Sequence, residues 1–356
     1  MSQTQLPVFS NRRMSLRYGF YILFFILLMP VTANASDITR QLHYPKQQRV
    51  LPEVRDNADS LVRIAELYLQ QKAPAKAVDS LLQALELFHV KKDLKAEGIT
   101  YDLLSKAYVD LGRFKEAEDA IRRRLAVARD IQDLRGQIFG LNNVGSLLLQ
   151  QGEVVPAKAA FEEAVSIANR IKHIEGQGLS LSNLGLANAR LGNYNRAIKL
   201  YEQALIYRRQ INDPIAEANT YNNLGEAYLA VGDYQNTIGT FGYALRLAKM
   251  TRDRNNEFRA IDGLVLAHTS VGRNERASDL LGQRLVLARE QQNLLEELKT
   301  FESYAQFYEK QGNYRTARNF YERAIVVSRT LDDSKREVHL VDRLTRILKK
   351  QGLEKS

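Results

Sequence analysis

Glycine recurs at positions 112, 152, 192, 232, 272, 312 and 352, each forty residues after the last. A register kept seven times without insertion or deletion restricts the chain to one architecture, a single supersecondary unit copied and stacked. Other columns hold the same spacing. Ala77, Ala117, Ala157, Ala197, Ala277 and Ala317 form one, interrupted only by Thr237; Leu81, Ile121, Phe161, Tyr201, Phe241, Leu281 and Tyr321 form another. Asp93, Asp133, Asp213, Asp253 and Asp333, with His173 and Asn293 filling the gaps, mark the other end of each unit.

Residues 213–250 give the clearest copy. Asp213 before Pro214 reads as an N-cap followed by proline at the first helical position, where the missing donor costs nothing. Tyr221, Leu224, Tyr228 and Val231 recur at helical spacing until Gly232, whose left-handed conformation ends the helix. A second helix runs from about Tyr234 through Ile238, Phe241, Ala244, Leu245 and Ala248 and stops in the polar stretch 251–256. Such a hairpin cannot bury its own apolar stripe and must stack on its neighbours.

These residues resemble the tetratricopeptide repeat. Asn223-Leu224-Gly225, Tyr228, Gly232-Asp233-Tyr234, Phe241 and Ala244-Leu245 follow that pattern, as do Leu184-Gly185, Gly192-Asn193-Tyr194, Ala197, Tyr201 and Ala204-Leu205. The usual period is about 34 residues; the forty-residue variety is similar to kinesin light chain repeats and to bacterial regulatory proteins. The resemblance implies an all-α, right-handed superhelical solenoid of seven hairpins (57–96, 97–136, 137–176, 177–216, 217–256, 257–296, 297–336), closed by a capping helix and tail over 337–356. That last helix reads as a solvating cap. Departures stand out: Lys72 replaces the turn glycine of repeat one, and Arg124 and Arg284 replace a small buried alanine. Each arginine is expected to pack its stem and reach solvent or an acid with its head.

Ahead of the repeats, Arg12, Arg13 and Arg17 precede the apolar run Phe20–Met29, and Ala33-Asn34-Ala35 forms a small-x-small cleavage pattern. Ten apolar residues reach about 15 Å, half of a hydrocarbon core of about 30 Å. Residues 1–35 therefore read as a secretory signal peptide and 36–56, with Pro45 and Pro52, as a flexible lead. An uncleaved anchor is the alternative. Both imply export, to the periplasm in a cell with two membranes, and confine membrane contact to this segment.

The +10 formal charge of the full chain falls to +7 once the signal arginines are removed, and no repeat departs from neutrality by more than three charges. Nucleic-acid binding needs clustered positive charge, so it is not expected. The chain has no cysteine, which excludes disulfides, thiolate metal sites and a cysteine nucleophile. His43, His89, His173, His268 and His339 are scattered without ligand spacing; His89 and His173 read as solvated helix ends. No catalytic constellation or cofactor is expected. Asp130 with Asp133, or Asp332 with Asp333, could supply oxygen ligands, but no calcium-loop pattern is present.

The resemblance places the first helices on the concave wall, with the residues just before each leucine-glycine pair facing the groove. Those positions hold Asn142-Asn143, Ser182-Asn183 and Asn222-Asn223, so that Asn143, Asn183 and Asn223 form a ladder. A row of primary amides either pairs with the backbone of an extended peptide or bonds to neighbouring repeats and sets the superhelix. Phe139, Ser146, Leu149, Leu179, Leu186, Ala189, Asn219, Glu226 and Leu229 complete a mixed, rather apolar wall. Arg259 and Lys299 lie further along it and are expected to be neutralised by Asp262 and Glu302 on the same helix face. The expected function is non-covalent: an exported scaffold holding a partner polypeptide in repeats three to five. Exported proteins of this build include assembly factors for membrane complexes, photosystem II among them. Self-association through ends or convex faces, and divalent-metal carriage, are the competing classes.

Overall fold

The computed structural model describes residues 57–353, which form fifteen helices and no strand; the signal peptide and lead read from the sequence lie outside the described residues. The helices pair as α1 (Asn57–Gln70) with α2 (Pro74–Lys91), α3 (Leu94–Asp110) with α4 (Phe114–Asp130), α5 (Leu134–Gln150) with α6 (Val154–Arg170), and α7 (Ile174–Arg190) with α8 (Tyr194–Gln210). Then follow α9 (Pro214–Ala230) with α10 (Tyr234–Thr251), α11 (Arg254–Ser270) with α12 (Asn274–Glu290), α13 (Leu294–Lys310) with α14 (Tyr314–Thr330), and the single α15 (Ser334–Leu353). Two helices of 17 residues, each followed by three turn residues, account for the period in most units.

The acidic column is a column of caps. Asp93, Asp133, Asp213, Asp253, Asn293 and Asp333 each accept the backbone N–H three residues on, at 3.0–3.2 Å, and His173 does the same through Nδ1. This satisfies one of the orphan donors at each first-helix N-terminus. Six glycines of the column, Gly112 to Gly312, close the first helices with φ of +71° to +83°, whereas Gly352 falls within α15. The second helices end in the same left-handed geometry without glycine: Lys92, Gln132, Lys172, Asn212, Arg252, Gln292 and Asp332 hold φ of 49–57°. Lys72, at the glycine position of repeat one, also sits at φ 56°. A side chain there carries a steric penalty that glycine lacks. Lys72→Gly is therefore expected to raise stability by roughly 0.5–1 kcal/mol after its larger unfolded-state entropy is subtracted, measured as a higher urea midpoint.

The alanine column and the Leu/Ile/aromatic column are buried throughout, and Thr237 fits among the alanines because its hydroxyl donates to the Asp233 carbonyl at 2.7 Å. The leucine-glycine motif has a steric cause. A Cβ on Gly145, Gly185 or Gly225 would stand 2.4, 2.6 or 2.9 Å from the ring of Phe161, Tyr201 or Phe241, so each glycine seats an aromatic of its own hairpin. Elsewhere volume is exchanged between two columns. Ile138 and Phe258 share core clusters with the small Ala168 and Ala288, whereas Ala58 meets Phe88 and Gly178 meets Arg208. Arg208 is 4% exposed, and its buried Nε has no hydrogen-bond partner. Nothing in the periodicity singled it out.

Successive first helices touch directly, α1 with α3, α5 with α7, α7 with α9 and α9 with α11, and no second helix makes comparable contact with the next second helix. The first helices therefore line the inner wall of the curve. At the C-terminal end, α15 buries Leu340 and Ile347 against α13 and α14. It is not simply a solvating cap: Val338 is 70% exposed, and Val341 and Leu348 are each 42% exposed.

Candidate functional site

Direct packing of first helix on first helix decides what the ladder residues meet. Asn142, 1% exposed, donates through Nδ2 to the Ile138 carbonyl and to Ser180 Oγ, both at 2.8 Å, and its Oδ1 accepts from Asn183 Nδ2 at 2.8 Å. Ser182 Oγ lies 3.3 Å from Thr220 Oγ1. Asn222, fully buried, donates to the Asn256 carbonyl and to Asn256 Oδ1 at 3.1 and 2.9 Å. Apart from the bond to Ile138 within α5, these bonds run from α5 to α7, α7 to α9 and α9 to α11.

This corrects the groove-facing assignment of Asn142, Ser182 and Asn222, which are buried and bond across to the next repeat, although the buried Oδ1 of Asn222 has no hydrogen-bond partner. Asn143 and Asn223 are also buried, and Phe139 is covered, its ring edge-on to the His173 imidazole at 5.8 Å. The physical reason is the short distance between first helices: the position two residues before the leucine-glycine pair points at the next helix rather than into the open curve. Asn183, Leu149, Leu186 and Leu229 are half-buried and Glu226 is exposed. With Leu266 of repeat six, they make the accessible part of the wall in repeats three to six.

The two cations are also held differently from expectation. Arg259 reaches back across the repeat boundary and donates to Asn219 Oδ1, Asn223 Oδ1 and Glu226 Oε1 at 2.7–2.8 Å. Lys299 donates to Glu296 at 2.8 Å. Asp262 and Glu302 serve other partners, Arg284 and Arg336. Arg284 and Arg124 do reach acids, as their burial requires. Arg284 donates to both oxygens of Asp262, to Glu296 Oε2, to the Glu296 carbonyl and to Thr300 Oγ1 at 2.5–3.1 Å, with its guanidinium 5.0 Å from the Phe258 ring centre. Arg124 donates to Asp102 and Asp133 at 3.0 and 3.3 Å, beside the small Gly98 and Gly136. The missed signal was a spacing: an aspartate 22 residues before the arginine occurs in both repeats.

His173 is a structural cap rather than a solvated imidazole. Burial and then the nearby Arg135 push its pKa below the usual histidine value, against Glu175. Burial and Arg273 and Arg276 do the same to His268. A depressed folded pKa means that the unfolded chain takes up the proton first, so stability is full above about pH 6.5 and falls as pH drops through and below that value. The urea midpoint is expected to fall on acidification from pH 7, and His173→Asn, which keeps a capping acceptor without a titrating ring, is expected to flatten that slope. His89 is largely exposed and pairs with Glu97 at 3.2 Å.

Of the acids considered as oxygen ligands, Asp133 and Asp333 are engaged as caps. Among the described residues no group of three or more histidines or carboxylates is placed to hold a metal ion. The wall offers half-buried leucines beside amide and paired charged groups, on a repeat scaffold suited to protein interaction.

Tetratricopeptide repeat family models match residues 56–130, 138–210 and 300–335. No curated protein matches the chain. Among solved structures, a signal-transduction ATPase with numerous domains and a tetratricopeptide repeat sensor, from Pyrococcus horikoshii, superposes with TM-score 0.65 at 20% identity over 84% of this chain and 45% of that one. This chain therefore spans less than half the length of that protein. The apo form of RapI gives TM-score 0.61 at 14% identity over 78% of this chain and 99% of that one. A Rap protein complexed with Competence and Sporulation Factor gives 0.52 at 12% identity over 82% and 98%. At these identities the likeness is one of fold.

Proposed function

The chain belongs to the tetratricopeptide repeat superfamily, and from that premise we propose that it is a non-catalytic scaffold holding an extended segment of a partner polypeptide. The site of contact is the inner wall of repeats three to five. The observation that carries the reading is the set of wall residues left over after the repeats have bonded to one another. Leu149, Leu186 and Leu229 stay half-exposed along α5, α7 and α9, next to Asn183, Glu226 and Arg259. Asn183 spends one amide N–H on Asn142 and keeps an acceptor at the wall. The solved Rap complex with Competence and Sporulation Factor supports the general use of this architecture for holding a ligand.

The finer reading is export and assembly. The N-terminal arginines, the apolar run and the Ala33-Asn34-Ala35 pattern support delivery across a membrane with cleavage before Ser36, or anchoring facing the periplasm. An exported scaffold of this kind serves the assembly of a membrane complex, photosystem II being one instance. N-terminal sequencing of the protein from a periplasmic fraction is expected to begin at Ser36; recovery from the cytoplasm with Met1 intact would sink the export reading. A photoreactive residue at position 186 is expected to cross-link a defined segment of the partner, whereas one at the outward-facing Val326 is not; the reverse pattern would overturn the groove assignment.

A further inference from the structure

The exposed valines and leucine of α15 form a narrow seam. Val338, Val341, Thr345 and Leu348 follow a strict three-four alternation, the a and d positions of two heptads, on the face opposite Leu340 and Ile347. The Thr345 hydroxyl donates to the Val341 carbonyl at 2.8 Å, so this side chain presents its methyl group. In α13 the equivalent positions, forty residues earlier, are Leu298, Phe301, Ala305 and Tyr308, and α14 lies over them: Phe320 packs against Phe301 and Tyr308 with ring centroids 6.2 and 5.8 Å away. Among the described residues no such second helix lies over α15.

We propose that α15 of a second copy of this chain covers this seam, antiparallel, with the two-fold axis at Thr345. The charge pattern selects both partner and direction. Asp342 and Lys349 occupy equivalent flanking positions, and an antiparallel pair sets Asp342 of each copy, exposed and paired within its own helix only with Arg346 at 2.6 Å, against Lys349 of the other, twice by symmetry. A parallel pair instead sets Glu337 of one copy against Asp342 of the other, acid against acid. With the axis at Thr345, Val341 lies at the level of the other copy's Leu348, and Thr345 at the level of its own counterpart. Two heptads bury less than the roughly 1,200 Å² at the lower end of standard interfaces, so the pair is reversible and concentration-dependent. This pairing is independent of what the inner wall binds, because α15 contributes no residue to repeats three to five.

The chain has no cysteine, which makes single introduced cysteines decisive. Thr345→Cys is expected to form a disulfide-linked dimer on mild oxidation. Val338→Cys is not, because its two copies lie about 21 Å apart along the helix axis in the antiparallel pair. Equal cross-linking of both variants indicates a parallel pair and overturns the proposal. In sedimentation equilibrium over a concentration series, Asp342→Lys is expected to weaken association on the order of tenfold, and adding Lys349→Asp to the same chain to restore it. A single monomeric species of the unmodified protein at every concentration also overturns it.

Discussion

Arg284→Ala is expected to destabilise the solenoid by roughly 2–4 kcal/mol, through the cavity left by a large buried side chain and the buried acceptors left without a donor, while Asp262, 43% exposed, can turn to water. Arg284 is 2% exposed and joins three helices: its own α12, α11 through Asp262 and Phe258, and α13 through Glu296 and Thr300. Every arm of the guanidinium is used, so its loss leaves acceptors in two repeats without a donor. The loss should be local first. Amide hydrogen exchange is expected to rise in α11–α13 before the N-terminal repeats respond, because each unit of a solenoid leans mainly on its neighbours. Repeats three and five solve the same position without charge, with Asn142 opposite the small Ala164 and Asn222 opposite Ala244 in the sequence. Asp262→Asn added to Arg284→Ala is accordingly expected to recover part of the loss, with a coupling of about 0.5–3 kcal/mol in a double-mutant cycle. Additivity of the two changes would contradict the pairing.

The second large effect is steric. The Phe241 ring lies between α9 and α11, and a Cβ on Gly263 would stand 2.2 Å from its Cζ while one on Gly225 would stand 2.9 Å away. Phe241 is 1% exposed, so the ring has no open space to move into. Gly263→Ala is expected to cost roughly 3 kcal/mol, the upper end of ordinary overpacking. Gly242 on α10 is the control: nothing lies within 4 Å of an added Cβ. There the same substitution is expected to stabilise by up to about 1 kcal/mol through helix propensity. Urea midpoints that shift the same way for both variants would refute the assignment of the first to the ring.

Period, caps and core columns were legible because each is local to a forty-residue copy and is confirmed by the next copy. Asp213 with Pro214 announced the start of α9, and Gly232 its end, by conformational rules that act within one turn of helix. The inner wall was legible only in part. Whether Asn142 faces a ligand or Ser180 depends on how closely α5 and α7 approach, a distance no single repeat encodes. Arg259 shows the same limit: a partner three residues away on its own helix was the local guess, while the actual partners, Asn219, Asn223 and Glu226, lie a whole repeat back. Arg208 escaped notice because its compensation, Gly178, sits thirty residues earlier in a different column. His173 looked like an interruption of the acidic column; it does the column's work with a nitrogen.

We propose above that the leucines left on the inner wall grip an extended polypeptide. The most direct test is the affinity, by titration calorimetry, of peptides enriched from a displayed random library against the purified protein, compared among Leu186→Glu, Leu229→Glu and the outward Val326→Glu. Each wall substitution is expected to weaken binding at least roughly tenfold, as for an apolar anchor at a contact centre, with Val326→Glu unchanged. Peptides that bind all three variants equally, or that lose affinity only with Val326→Glu, would contradict it.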